Sequence, residues 1–409
     1  MSVDEPTHTD RSVTLEESTV PEQAAVLVDE DTDTEPTLSV VMPTLNEEAG
    51  IEECITRIKN AVVELGVPTE IVVSDSSTDR TPEIAREMGA RVVEPDRDGY
   101  GYAYQYGFDH ARGEYIAMGD ADTTYDFEEL PRLYNEVADG EADLVLGSRF
   151  AGEIRDGAMP PLHQYIGNPA LTAFLNFFYH TSVSDAHSGF RVFTAETLEQ
   201  MSLRSTGMEF ASEMVMAAGA EELEVAEVPI TYYEREGEAT LDSFQDGWRH
   251  VKFMLVNAPG QLFSVPGVTM CVVGTVLMLV ATLGIELVGQ SLGVHSLIGG
   301  SLLTLVGFQV GTFGVLSDIA TDPVQRPQDG VTRLIREEFT LERGIGVGMV
   351  LLAFGATVAG QMLFRWVSSG FDVLPLVTGD ILAFTTILLG VQTVFNSFFA
   401  STVATLRRD

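Results

Sequence analysis

Lysine is nearly missing from this 409-residue chain, which has only Lys59 and Lys252. In all, 23 Lys and Arg face 61 Asp and Glu, for a formal net charge of −38. Binding a phosphate backbone needs a basic stripe, so nucleic acid is excluded as a partner. The carboxylate surplus fits a protein of a salt-adapted organism, where screening removes the self-repulsion that would otherwise oppose folding. It also lowers the information in any single acid, which is most simply a solvated surface group. Cysteine is equally scarce: Cys54 and Cys271 lie in dissimilar contexts, so no disulfide framework is expected and the polar part reads as facing a reducing cytoplasm. Residues 1–36 have neither a basic start nor an apolar run, and read as an acidic disordered tail without a signal peptide.

What the chain does have is concentrated apolar sequence near its C-terminal end. Stretches at about 265–285, 297–316, 345–363 and 381–400 are each long enough for a membrane-spanning helix of about 20 residues. The segment between the second and third stretches carries Arg326, Arg333, Arg336 and Arg343, and the chain ends in Arg407 and Arg408. The two opposite loops hold only Arg365 between them. Positive residues favour the cytoplasmic side, so the large N-terminal part and the C-terminus are both expected there, in a multi-pass protein of the cell membrane.

Residues 37–242 alternate short apolar strands with amphipathic helices, the pattern of an α/β domain. Each strand runs into a polar loop, and in open α/β sheets ligands sit at those carboxyl ends. In "SFQDGWRHVKFMLVN", Phe244, Trp248, Val251 and Leu255 recur at helical spacing, so residues 243–260 are expected to form an amphipathic helix in the membrane interface, with Arg249 and Lys252 meeting phosphate or lipid headgroups. The membrane region occupies 261–409.

One stretch poses a chemical question. "YIAMGDADTTYDF" places Asp120 and Asp122 one residue apart at the end of an apolar strand. Two close carboxylates repel unless a cation lies between them or water solvates them, and a hard divalent ion is the functional alternative. Two other motifs fail inspection. "GYGYAY" has Tyr104 where a dinucleotide-binding loop needs its third glycine. "QMLFRW" is one residue too long for the Gln-x-x-Arg-Trp of processive polysaccharide synthases, which argues against polymer synthesis.

Taken in order, PTLNE (43–47), VVSDSSTD (72–79), GDAD (119–122), GSRF (147–150), SDAHSGFRVF (184–193) and VPITYYEREGEATL (228–241) resemble glycosyltransferase family 2, in particular the dolichyl- and polyprenyl-phosphate hexose synthases. The resemblance covers about 37–257 and implies a GT-A nucleotide-sugar-binding domain, followed by the interfacial helix and the four-helix membrane region. It implies that Pro43, Asn46 and Glu47 sit beside the nucleoside, that Asp75 meets base or ribose, and that Asp120 and Asp122 hold Mg²⁺ or Mn²⁺ against the donor diphosphate. Ser76 and Thr124 stand where relatives carry a second acid and a glutamine, which leaves uridine or guanosine, and a third metal ligand, open. Arg149, Arg191 and Arg235 become the candidates for gripping donor or acceptor phosphates, and Asp185 for orienting an arginine or the sugar. His163 and Gln164 occupy a segment where some relatives place an acceptor-binding arginine.

The implied reaction moves a hexose from a UDP- or GDP-sugar to dolichyl or polyprenyl phosphate with inversion, for protein or surface glycosylation. Two alternatives remain: a membrane acceptor with a hydroxyl nucleophile, for which Asp185 would be the base, and a non-catalytic lipid-sugar scaffold or translocator. A homo-oligomer is compatible with either.

Overall fold

The computed structural model describes residues 27–28, 34–235, 243–287, 290–320, 340–372 and 377–406. Arg326, Arg333, Arg336, Arg407 and Arg408, most of the expected acidic tail and the end of the 228–241 motif lie outside the described residues.

The first strand, β1 (Leu38–Thr44), is a run of apolar residues buried on both faces, as a central parallel strand must be. It leads into α1 (Ile51–Leu65), which buries Ile51, Ile55, Ile58 and Val62 at helical spacing and ends on Gly66 in the left-handed conformation. There follow β2 (Thr69–Asp75), α2 (Thr81–Glu87), β3 (Arg91–Val93), α3 (Tyr100–His110) and β4 (Tyr115–Met118). The remainder of the domain is α4 (Leu130–Ala138), β5 (Leu144–Ile154), α5 (Asn168–Tyr179), β6 (Arg191–Thr194), α6 (Ala195–Met201), α7 (Phe210–Ala220) and β7 (Val225–Tyr232).

The seven strands form one mixed sheet in the order β3-β2-β1-β4-β6-β5-β7. β1 pairs in parallel with both β2 and β4, whereas β6 runs antiparallel between β4 and β5. The chain therefore reverses its winding at β1, and the crevice between the carboxyl ends of β1 and β4 is the switch point where such sheets bind ligands. Alternate β1 residues feed two cores: Val40 and Met42 meet α1 and α4, and Val41 meets the layer of α3, α5 and α7. Leu27 and Val28, inside the stretch expected to be a tail, instead join the domain: Val28 is buried and its N–H donates to the Thr69 carbonyl at 2.9 Å.

α8 (Ser243–Asn257) leads through a π-turn at Gly260–Ser264 into α9 (Val265–Leu283), then α10 (Val294–Ala320), α11 (Leu341–Ser368) and α12 (Val377–Leu406). The four apolar helices of 24 to 28 residues match the four expected spans. At about 1.5 Å per residue each exceeds the roughly 30 Å of a hydrocarbon core. In α8 the buried face is His250, Met254 and Asn257, while Trp248, Arg249, Lys252 and Val256 are exposed. Tyr179 of α5 donates to the Met254 carbonyl at 3.3 Å, which seats this helix on the domain. The preceding α5 region also exposes large apolar groups, Leu162, Tyr165, Ile166 and Phe177.

Candidate active site

The carboxyl ends of β1, β2 and β4 assemble the site. Asn46 takes a positive φ of 60°, a conformation that asparagine tolerates better than most residues. Its side-chain oxygen accepts from Thr78 N–H at 2.9 Å, and its own N–H donates to Ser77 Oγ at 2.8 Å, so the loops after β1 and β2 are stitched together. Asp75 is buried at that seam, accepting from the Thr44 hydroxyl at 2.7 Å and from Ser77 N–H at 3.2 Å. At the start of α2, Asp79 accepts from Thr81 N–H at 3.0 Å. Pro43, half-buried in β1 beside Ser74 of β2, needs no donor partner there.

Asp120 and Asp122 follow β4. Oδ1 of Asp120 accepts from the hydroxyls of Tyr100 at 2.9 Å and Tyr104 at 3.0 Å. Those tyrosines are one turn apart on α3, hence on one face, with rings edge-to-face at 5.1 Å. Tyr104 is also stacked on Phe210 of α7 at 5.7 Å. The tyrosines of "GYGYAY" thus support the first aspartate. The other oxygen, Oδ2, faces Gly189, where a Cβ would stand 2.8 Å from it. Only glycine leaves that oxygen approachable.

Asp122 is fixed by its own turn. Its Oδ1 accepts from the Thr124 hydroxyl at 2.5 Å and from Thr124 N–H at 3.2 Å. Thr123 between them holds a φ of 63°, a strained state for a β-branched residue, costing about 1–3 kcal/mol. Gly50 at the start of α1 packs against this turn, with the Ala121 carbonyl and Thr123 Cγ2 each 3.0 Å from where a Cβ would lie. Oδ2 of Asp122 lies 3.5 Å from Nε of Arg235, whose Nη2 donates to Glu47 at 2.5 Å. Burial, and then the charge of Asp122, push the Asp120 carboxyl up to about 6. Burial likewise raises Glu47, against the pull of Arg235.

The two aspartates therefore form a charge cluster with one oxygen each held by hydroxyl donors. Among the described residues no group of three or more His, Cys, Asp and Glu side chains is preassembled around a metal position. The approachable Asp120 Oδ2 and the repulsion felt by Asp120 nevertheless fit a hard divalent cation completed by a ligand's phosphate oxygens.

The remaining expected residues are placed differently. Arg149 is almost fully buried and donates from Nε to Asp185 Oδ2 at 2.7 Å and from Nη2 to Oδ1 at 2.8 Å, while its backbone N–H reaches Oδ2 at 3.0 Å. Its guanidinium lies over the Tyr232 ring at 5.1 Å. Arg191, expected to grip a phosphate, is instead completely buried, because its guanidinium donates to the carbonyls of Ser188 at 2.8 Å and Ala186 at 3.0 Å. It holds the 185–190 loop from below. Of the three arginines, only Arg235 lies beside the aspartate pair with part of its side chain exposed. Arg249 and Lys252 are on the exposed side of α8, and His163 lies in a π-turn at His163–Gly167.

Fold and site together define a glycosyltransferase, and the comparisons agree: residues 39–201 match Glycosyl transferase family 2, and residues 315–404 match the Glycosyltransferase family 2 C-terminal transmembrane region. The chain belongs to this family and is a membrane protein with a GT-A domain. It is 56% identical over 373 residues to the low-salt glycan biosynthesis hexosyltransferase Agl6 of Haloferax volcanii, covering 91% of this chain and 90% of that one. It is 37% identical to a dolichyl-phosphate hexose transferase of the same organism, over 51% of this chain and 89% of the relative. With the polyprenol monophosphomannose synthase of Mycolicibacterium smegmatis it shares 32% identity, over 48% of this chain and 77% of that one. Among solved structures, glucosyl-3-phosphoglycerate synthase from Mycobacterium tuberculosis aligns at a TM-score of 0.44 with 26% identity, covering 59% of this chain and 85% of that chain.

Proposed function

We propose that this protein moves a hexose from a nucleoside-diphosphate sugar to a polyprenyl or dolichyl phosphate at the cytoplasmic face of the cell membrane. The observation that carries the reading is the cluster of Asp120, Asp122, Glu47 and Arg235 at the sheet's switch point, in a domain joined directly to four spans. The similarity to hexose transferases whose names include a polyprenol or dolichyl phosphate supports the choice of acceptor.

Asp120 and Asp122 would hold Mg²⁺ or Mn²⁺, which supplies charge neutralisation for the departing diphosphate. Arg235 supplies the second positive charge on that side, exchanging its contact with Glu47 for phosphate oxygen. Asp75, Asn46 and Pro43 line the neighbouring seam that suits the nucleoside. An oxygen of the lipid phosphate attacks the anomeric carbon as the bond from that carbon to the donor diphosphate breaks. The nucleoside diphosphate leaves and the configuration inverts. With a second pKa of about 6, the acceptor phosphate is already largely dianionic near neutral pH, so no proton has to be removed.

That last point separates the acceptor classes. A hydroxyl acceptor needs a base, and Asp185, the residue available for it, is sealed against Arg149. The direct test is transfer in high salt with Mg²⁺ or Mn²⁺, using labelled UDP- and GDP-hexoses with polyprenyl phosphate. A charged, mild-acid-labile lipid product is expected; a product formed only on lipid hydroxyls or glycans would reject the phosphate acceptor.

The tyrosine supports give a second expected result. Tyr104→Phe removes one of two donors to Asp120, and outer-sphere partners of this kind are worth about 10- to 100-fold in metal affinity. The metal concentration for half-maximal transfer should rise by about tenfold, with kcat nearly restored at saturating metal. An unchanged metal requirement would show that Tyr100 alone suffices.

A further inference from the structure

A polar chain buried outside the reaction centre links it to the membrane-proximal helix. Ser212, completely buried in α7, has its Oγ 3.2 Å from Nε2 of His187 and 2.9 Å from Nδ1 of His250. The two imidazoles stand at 89° with centroids 5.0 Å apart. His187 belongs to the 185–189 loop, and His250 lies on the buried face of α8. A hydroxyl carries one proton, so it donates to one ring and accepts from the other. Nδ1 of His187 is buried with no partner among the described residues. An unpaired buried N–H is costlier than an unpaired lone pair, which places the His187 proton on Nε2, donating to Ser212, with Ser212 donating to His250. Burial, and then the neighbouring His250, depress the His187 imidazole to about 3, so His187 is neutral at physiological pH.

What His187 holds is the loop under the site. Two residues earlier Asp185 clasps Arg149. The carbonyls on either side, Ala186 and Ser188, hold Arg191. Two residues later Gly189 donates to the Tyr125 hydroxyl at 2.7 Å and underlies Asp120 Oδ2. On the far end of the chain, Trp248, two residues before His250, is 60% exposed, as it must be to enter a membrane interface.

We propose that His187, Ser212 and His250 are positioning residues: a tie through which the seating of α8 on the bilayer sets the 185–189 loop beneath Asp120, so that transfer runs at full rate only on a membrane. The activity arm of the test rests on the function proposed above. The full-length protein carrying Trp366→Phe keeps Trp248 as its sole tryptophan, and its emission reports the seating of α8. With a short, soluble polyprenyl phosphate, the ratio of activity in anionic vesicles to activity in detergent should be about tenfold, and Ser212→Ala should bring it close to one without altering the Trp248 shift. Ser212→Thr, which keeps the hydroxyl, should restore it. An equal loss in both media would mean a purely structural role and would overturn the tie.

Hydrogen exchange decides the matter independently of turnover. Reconstitution into anionic vesicles, compared with detergent, should slow amide exchange across residues 185–189 in the parent protein and leave it unchanged in Ser212→Ala. If exchange responds in this way but no lipid phosphate is glycosylated, the functional reading fails and the tie stands. If exchange ignores the vesicles in the parent, the tie fails whatever the enzyme makes.

Discussion

Asp122→Asn is expected to lower sugar transfer by at least about a hundredfold while leaving the protein folded. The amide oxygen can still accept from Thr124, so the strained turn at Thr123 keeps its internal bonds. What disappears is one of the two negative charges that, in the function proposed above, hold the metal against the donor's diphosphate. Stability should not suffer, because the charge of Asp122 is one of the causes that raise the Asp120 carboxyl. The folded Asp120 carboxyl, raised to about 6, exceeds its unfolded value of about 3.9. The folded state therefore holds more protons between those values, and in metal-free protein the Asp120 contribution to stability falls as pH rises from about 4 to about 6. Burial is the larger cause and persists in the variant, whereas the charge of Asp122 does not. The fall should become shallower. Thermal unfolding of solubilised, metal-free protein across this range, beside transfer at saturating donor, measures both effects. Undiminished transfer would remove Asp122 from the metal site.

Asp185→Ala is expected to act on the opposite side of the ledger, destabilising the domain by about 3–5 kcal/mol. Both partners of the Arg149 pair are at least nine-tenths buried, so removing the carboxylate strands a guanidinium away from water. The paired change Arg149→Met with Asp185→Leu should recover most of that stability, because no charge is left behind. Burial alone would raise the Asp185 carboxyl, but the charge and hydrogen bonds of Arg149 outweigh it and hold it below the ordinary range. A depressed carboxyl adds stability that is fully present above its unfolded pKa and lost only as pH falls through its folded value. At neutral pH it is a poor proton acceptor. If Asp185→Ala proved as stable as the parent and lost transfer to a lipid hydroxyl alone, Asp185 would be a general base and the acceptor a hydroxyl.

The division of the chain into an α/β part and four spans was legible because both rest on local pattern: apolar runs ending in polar loops, and runs long enough to cross a bilayer. The acidic pair was legible too, since Asp120 and Asp122 are neighbours in sequence as in space. The partners were not. Arg149 looks like a free phosphate-binding group and Asp185 like a group orienting an arginine or the sugar, and only the fold, closing a separation of 36 residues, shows that the two neutralise one another. Arg191 looks like a phosphate grip because spacing says nothing about depth. Tyr100 and Tyr104 are hard to see in the sequence because the glycines beside them imitate a dinucleotide-binding loop. A pair of tyrosines four apart, just before the strand that ends in the acidic turn, was the available signal. Nothing in the order of residues links His187 to His250, whose rings meet edge to face and share Ser212 on a third element.

Within the membrane the helices meet as two close pairs. Gly267 lies directly on Gly311, and a Cβ at Gly274 would stand 2.6 Å from the Gly300 carbonyl, so α9 and α10 approach backbone to backbone. The same holds for α11 and α12, where a Cβ at Gly348 would stand 2.9 Å from the Gly390 carbonyl. These spans are consequently not interchangeable lengths of grease. A chimera that replaces one of them with a generic apolar helix of equal length would satisfy the bilayer and still lose its neighbour. In engineering terms the unit of exchange is the hairpin, and a catalytic domain moved to a new anchor should carry α9 and α10 together.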